Sequence, residues 1–272
     1  MKRNWREFSV AVRRRETPFY DRVYRLAKWI RGLSFPCVKP VHSFLYWEWT
    51  FRTNLWHNFW RIVYYEPMFK SQCVAVGPGF RMVYAGNGTT RIAGDLQLHI
   101  GSNVTIFDNT FFSGLKVIDK PQLYIGDNTY IAPLVHIMVA QKVSIGNHCM
   151  IGSRLITDNP GHSVNAMNRL GGSGNPDMDG IKPVSIGDFC WLPLDTVVSP
   201  GVTMGDGVVA RLGTHINRDV PPFCLIAGQP AKIIRKLPIP QELIEVVGKE
   251  RYESYLESHR TFDISNVTNL KP

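Results

Sequence analysis

The side chains best suited to chemistry surround one interruption in an otherwise regular sequence. Residues 155–188 read "LITDNPGHSVNAMNRLGGSGNPDMDGIKPVSIGD", and His162 is the one histidine in that polar stretch. An imidazole titrates near neutral pH, so it can take a proton from a hydroxyl and hand it on. It can equally close a turn with one hydrogen bond, and the loop residues by themselves leave both readings open. Asp158 and Asn159, just upstream, are the nearest groups able to orient the ring. Five cysteines, at 37, 73, 149, 190 and 224, form no CxxC pair and no disulfide-like spacing. They read as reduced thiols, which points to a cytoplasmic protein.

What must position these groups is a repeat. In sixes, residues 143–160 read "VSIGNH CMIGSR LITDNP", 184–201 read "VSIGDF CWLPLD TVVSPG", and 202–219 read "VTMGDG VVARLG THINRD". Upstream, 123–140 read "LYIGDN TYIAPL VHIMVA" and 98–109 read "LHIGSN VTIFDN". The third place of each six is nearly always aliphatic, the first small or aliphatic, and the second half often carries Gly, Asn or Asp. A short strand turns alternate side chains to one face, so places one and three point inward together. Gly and Asn then permit a tight turn onto the next flat wall. Three walls make a coil of eighteen residues. Ile186 to Met204 is one coil, Ile125 to Ile145 is a coil with two extra residues, and Ile145 to Ile186 is a coil plus a 23-residue loop. Insertions at corners leave such a stack undisturbed, because each coil touches only its neighbours. Cys149 and Cys190 open their sixes, so they are expected in the core.

This pattern resembles the hexapeptide-repeat acyltransferases, including the galactoside, maltose and polysaccharide-biosynthesis O-acetyltransferases. The closing segment "INRDVPPFCLIAGQPAKIIRKL", 216–237, resembles that family's terminal motif. The resemblance implies an all-β core, a left-handed parallel β-helix, whose hand departs from the usual right-handed crossover. It also implies a homotrimer with active sites between subunits and acetyl-CoA as donor. On the same correspondence "TDNPGHSV" places His162 as the catalytic base, with the loop 160–183 reaching a neighbouring subunit. Trp191 matches a tryptophan that flanks the cofactor. Leu212, Gly213 and Thr214 match a small-residue turn beside the pantetheine arm, with Leu212 in place of an alanine. Arg218, Lys232 and Arg235 match basic positions near the adenosine phosphates, where fixed positive charge suits phosphate. The chain also departs from the family. Counting back one coil places Ala132 where the galactoside enzymes have an asparagine, and His136 stands in that coil as a possible support. Nothing upstream matches the family's acidic helper. Some relatives with this fold bind zinc through three histidines; His136, His148 and His162 lack that spacing, and no metal is expected.

The first 70 residues differ in composition. They hold 14 Lys/Arg against 5 Asp/Glu, whereas the remainder holds 17 of each, and six of the seven tryptophans precede residue 61. "PFYDRVYRLAKWIR", 18–31, fits an amphipathic helix, and 41–65 reads as a second helix crowded with aromatics. The second carries charges and is not a spanning segment. Tryptophan with arginine suits an anionic headgroup region, so a peripheral position on the inner face of the cell membrane is expected; packing within the trimer is the alternative. No nucleic-acid module accompanies the charge, and no secretory leader opens the chain. The expected organisation is 1–70 basic and helical, 71–237 β-helix, and 238–272 a C-terminal helix and tail. The expected activity is transfer of an acetyl or other short acyl group to a sugar hydroxyl in membrane-associated cell-surface polysaccharide or glycan biosynthesis, with a lipid-linked glycan precursor as the acceptor that membrane contact suggests. The alternatives are a soluble acceptor (a nucleotide-linked amino sugar, serine or a xenobiotic) and a catalytically silent trimeric membrane scaffold.

Overall fold

The computed structural model of the chain describes residues 5–84, 90–170 and 177–261. Its main part is a stack of coils, each contributing one short strand to each of three walls. The coils are β1 (Ala75–Val76), β2 (Arg81–Val83) and β3 (Arg91–Ala93); β4 (Gln97–Ile100), β5 (Thr105–Phe107) and β6 (Phe111–Gly114); β7 (Gln122–Ile125), β8 (Tyr130–Ile131) and β9 (His136–Val139). They continue with β10 (Lys142–Ile145), β11 (Met150–Ile151) and β12 (Leu155–Thr157); β13 (Val184–Ile186), β14 (Trp191–Leu192) and β15 (Val197–Val198); β16 (Thr203–Met204), β17 (Val209–Ala210) and β18 (His215–Ile216). The walls run β1-β4-β7-β10-β13-β16, β2-β5-β8-β11-β14-β17 and β3-β6-β9-β12-β15-β18, all in parallel register. This is the parallel β-helix expected from the sixes, with the left hand that the family resemblance implies. A last hairpin, β19 (Cys224–Ala227) and β20 (Lys232–Lys236), adds to the second wall and closes it with an antiparallel pair.

The register follows from the inward residues. Ile125, Ile145 and Ile186 stack on the first wall, Ile131, Ile151 and Leu192 on the second, Ile137, Ile156 and Val198 on the third, and all are buried. Burying each such side chain contributes about 1.5–3 kcal/mol. The 23-residue loop leaves between β12 and β13 without shifting the pairing of Val143 with Val184 or Ile145 with Ile186.

Corners are tied by side chains passing from coil to coil. Asp127 accepts the Ser102 N–H at 2.6 Å, Asn147 that of Asp127, Asp188 that of Asn147 and Asp206 that of Asp188, the last three at 2.7 Å. The preceding glycine is required by this stacking: a Cβ on Gly146 would lie 2.6 Å from the carbonyl carbon of Gly187. The next corner residue adopts a left-handed conformation, expected of Gly or Asn. Here His148 (φ 55°) and Phe189 (φ 59°) do so as well, and their rings stack at 5.2 Å across adjacent coils. That contact helps hold a conformation bulky residues otherwise avoid.

The C-terminal helices α5 (Ile244–Val247) and α6 (Lys249–Thr261) follow the hairpin. Arg251 bridges Asp188 and Asp206, at 2.7 Å each, and the Tyr255 hydroxyl donates to Asp206 at 2.6 Å. Two carboxylates on consecutive coils thus receive one guanidinium, which fixes α6 to the last two coils. These links push the Arg251 pKa up despite a desolvation penalty.

Upstream lie α1 (Trp5–Arg14), α2 (Pro18–Gly32) and α3 (Lys39–Trp60), then a π-turn (Arg61–Tyr65) and α4 (Glu66–Lys70). Both expected helices are present, and α1 is additional. Thr17 caps α2 by accepting the Tyr20 N–H at 3.3 Å. The chain divides into compact units at Leu55/Trp56, not at residue 70. The reason is buried Glu66, which accepts the Met82 N–H at 2.8 Å and pairs with Arg61 at 2.6 Å, while Phe69 stacks on Phe80 at 5.4 Å. Residues 56–70 therefore belong with the first coil. No described helix is long and apolar enough to cross a membrane.

Candidate active site

The interruption begins where β12 reaches its corner. Thr157 accepts from the Asn159 side chain at 2.8 Å, and Asn159 Oδ1 accepts the Gly161 N–H at 3.0 Å. This turn, with Gly161 at φ +86°, delivers His162 to an exposed position one residue later. Asp158 is fully buried. Its oxygens accept the N–H groups of Ala140, Gln141 and Lys142, each at 2.7 Å, and the Asn159 amide at 3.4 Å. Four donors fill the carboxylate's lone-pair sites. Asp158 thus braces the corner where two extra residues enter the preceding coil, a different task from the ring-orienting one expected of it. Asn159 likewise shapes the peptide that leads to His162.

The loop returns to the same root. Lys182 N–H donates to the Asp158 carbonyl at 2.9 Å, and a Cβ on Gly180 would meet the Pro160 ring at 2.9 Å. Further out, Asp177 accepts the Val164 N–H at 2.9 Å and a hydrogen bond from Ser163, and these hold its carboxyl below the usual range. Ser163 is buried and also accepts the Asn165 N–H at 3.0 Å. Residues 171–176, in the middle of the expected 160–183 excursion, lie outside the described residues. The Ser163–Asp177 clasp has no sequence signal beyond the Ser-x-Asn turn at its start.

His136 lies on the outward face of the third wall, beside Leu155 of β12. Its ring packs on Phe111 at 4.7 Å and its Nε2 is 3.3 Å from the Ser113 hydroxyl. Burial pushes its pKa down. Two and three coils on, an unforeseen pair occupies the same wall: Ser199 Oγ and His215 Nε2 at 2.8 Å. His148, offered with His136 and His162 as a hypothetical ligand set, stands at a different corner. No group of three or more ligating side chains gathers among the described residues.

The residues expected to meet the donor fall into two groups. Trp191 is half exposed on the outward face of the second wall, in the row that continues through Val209 and Leu225 to Arg235. Three strand steps of about 4.8 Å separate Trp191 from Arg235, about 14 Å. Arg218 and Lys232 line one cleft beside Val220 and Ala231. Leu212 projects from the corner after β17, above the exposed Leu194 of the previous coil. Gly213 (φ +70°) makes that turn, and its carbonyl accepts from Gln229 at 2.6 Å. Thr214 is fully buried and its hydroxyl donates to the Arg211 carbonyl at 2.6 Å, so what this turn can offer a ligand is backbone. The cause is its place, which points inward just before β18. Cys149 and Cys190 are core residues, their thiols donating to the Gly187 and Gly205 carbonyls at 3.1 and 3.3 Å. Contact with Cys149 and burial push the Cys190 thiol well up, which removes it as a nucleophile.

The triangular parallel β-helix is the fold of the hexapeptide-repeat proteins. No family model matches the sequence. The chain is 31% identical over 138 residues to galactoside O-acetyltransferase of Escherichia coli, covering 50% of this chain and 56% of that protein. It is also 31% identical over 138 residues to WbbJ of Escherichia coli, provisionally named a lipopolysaccharide biosynthesis O-acetyl transferase, covering 48% of this chain and 70% of that one. Of two of its curated relatives the chain spans only 58% and 56% of the length. Among solved structures, a mutant of AntD, an N-acyltransferase from Bacillus cereus, superimposes with a TM-score of 0.52. The match covers 70% of this chain and 96% of that one at 18% identity, a likeness of fold alone. The chain belongs to the hexapeptide-repeat acetyltransferase family.

Proposed function

We propose that the protein transfers an acetyl or other short acyl group from acetyl-CoA to a sugar hydroxyl, with His162 as general base. The imidazole takes the hydroxyl proton as the oxygen attacks the thioester carbon. The new C–O bond forms, the C–S bond breaks, and the proton passes to the departing thiolate. A base so placed typically contributes about 10²–10⁴-fold. The observation that carries this reading is the construction of the loop: Asp158, Asn159 and Ser163 are buried and spend their polar atoms on backbone and side chains of the loop and its root, while the histidine between Asn159 and Ser163 is exposed. Kinship with a galactoside O-acetyltransferase supports a sugar acceptor. Trp191 and Arg235 on one outward row, with Arg218 and Lys232 in one cleft, offer an aromatic face and phosphate-binding charge to the donor.

The acting unit is a homotrimer in which the loop meets a neighbouring subunit's wall. The basic aromatic segment before residue 70 associates with an anionic membrane surface on its cytoplasmic side. What supports this is the exposure of Phe19, Leu26, Trp29 and Ile30 on α2 and of Phe44, Trp47 and Trp49 on α3, since such residues beside arginines suit a headgroup layer. The acceptor class is then a lipid-linked glycan precursor. Release of free thiol from acetyl-CoA, measured with a panel of sugars, tests the reading. Sugar-dependent thiol release is expected, and none with any hydroxyl acceptor would leave the protein a silent scaffold.

A further inference from the structure

A cavity of about 660 Å³ opens at the N-terminal end of the β-helix, between the π-turn and α4 on one side and β2, β3 and the start of β6 on the other. Tyr65, Met68, Phe69, Met82, Ile92 and Phe111 give it a largely apolar wall. That size and lining are those of a small-molecule site. At about 30 Å³ for a water-sized group, it holds about twenty heavy atoms, one long chain or two short ones.

The wall is firmly built. Glu66 ties α4 to β2 through the Met82 N–H, and the Phe69–Phe80 stack seats α4 over the first coil. A π-turn is rare and recurs at functional sites; here it carries Arg61 and Tyr65 into the wall. The polar groups are unevenly spread. Arg61 is engaged by Glu66 at 2.6 Å, and Asp108 places a buried carboxylate in the wall. Arg91 is exposed at the edge, with no side-chain partner among the described residues. An anion is therefore favoured at Arg91 and disfavoured near Asp108, while the rest of the space favours hydrocarbon.

The cavity also leads somewhere. Arg91, Phe111, His136 and Leu155 are successive residues of one outward row on the third wall. Phe111 both lines the cavity and packs on His136. Leu155 opens β12, the strand that runs into the His162 loop. From Arg91 to Leu155 the row spans three strand steps, about 14 Å.

We infer that this cavity is the tail site for an amphiphilic acceptor. One apolar chain enters between Met68 and Ile92, an acidic head group pairs with Arg91, and the polar remainder lies along the row toward the loop. The inference rests on the acyl-transfer reading for the fate of that polar remainder; binding of the tail does not depend on it.

Calorimetric titration of the full chain with dodecyl phosphate, below its micelle-forming concentration, tests it. Dodecanol and inorganic phosphate are the parallel arms. Saturable binding of dodecyl phosphate is expected, with dodecanol at least about tenfold weaker and phosphate alone unbound. Met68→Trp, which fills the mouth from an exposed position, and Arg91→Gln should each weaken it at least about tenfold. Ile92→Phe is a second filling variant, and thermal melts of the unliganded variants establish that each folds. Unchanged affinity in the folded variants overturns the inference. So does the absence of saturable binding, or equal binding of phosphate alone, which would mark a free-anion site. Thiol release measured on the same preparation separates the two readings. Amphiphile binding without acyl transfer leaves the cavity standing and removes the enzyme; transfer without amphiphile binding does the reverse.

Discussion

Replacing Asp158 with alanine removes the acceptor of three backbone N–H groups at once, those of Ala140, Gln141 and Lys142. The Ala140 N–H is buried, and an orphaned buried donor costs about 1–3 kcal/mol, here toward the upper end because the acceptor was a carboxylate. The other two are partly buried, so water recovers part of each loss and about 0.5–1 kcal/mol apiece remains. The sum is about 3–5 kcal/mol. At about 2–4 °C per kcal/mol for a chain of this size, Tm should fall by about 6–20 °C. Circular dichroism melts at one scan rate and one protein concentration read this directly. Asp158→Asn keeps one acceptor oxygen but turns an NH₂ toward a peptide N–H, so its melt should fall between alanine and wild type. Acyl transfer should drop in both, because the same carboxylate braces the loop root. A Tm within about 2 °C of wild type for Asp158→Ala would refute the reasoning, since the bracket would then be worth under about 1 kcal/mol.

Three further outcomes follow from the same geometry. Gly146→Ala places a Cβ 2.6 Å from backbone on the next coil, so denaturant melts should show a loss of about 2–4 kcal/mol, at the severe end for one methyl group. Arg251→Met leaves Asp188 and Asp206 without their shared cation; α6 should exchange amide hydrogens faster and stability fall by about 1–2 kcal/mol, less at high salt because the guanidinium is partly exposed. The His136 pKa lies below its ordinary 6.5 through burial, so the folded ring stays neutral while the unfolded one takes a proton. Its contribution is whole above pH 6.5 and is lost as pH falls through the folded value. His136→Phe should flatten that acid limb in urea melts at pH 5 and 7.5, and an unaltered limb would exclude the ring as its source.

Much of the fold was legible because one physical constraint repeats. Ile125, Ile131 and Ile137 stand six residues apart, and a side chain of that type returning at that interval can only line a common interior. The first coil was harder to read, because ten residues separate Met82 from Ile92 and the rhythm is broken there. Corner chemistry was half legible. Glycine and asparagine announce a left-handed turn, but Phe189 and His148 reach it through contacts across coils that no local pattern encodes. The boundary near residue 70 followed composition, whereas the molecule follows Glu66 and Phe69, two residues whose partners lie far along the chain. At the site, the position of His162 could be read from the break in the repeat. The duties of Asp158 and Thr214 could not, since each is decided by which backbone group a neighbouring turn presents.

The central claim is that His162 acts as the base for acyl transfer to a hydroxyl. The most direct measurement is kcat for acetyl-CoA-dependent O-acetylation by His162→Ala beside wild type, at saturating donor and acceptor. A loss of about 10²–10⁴-fold, with an unchanged melt and unchanged donor binding, is expected. Turnover within about threefold of wild type would contradict the account.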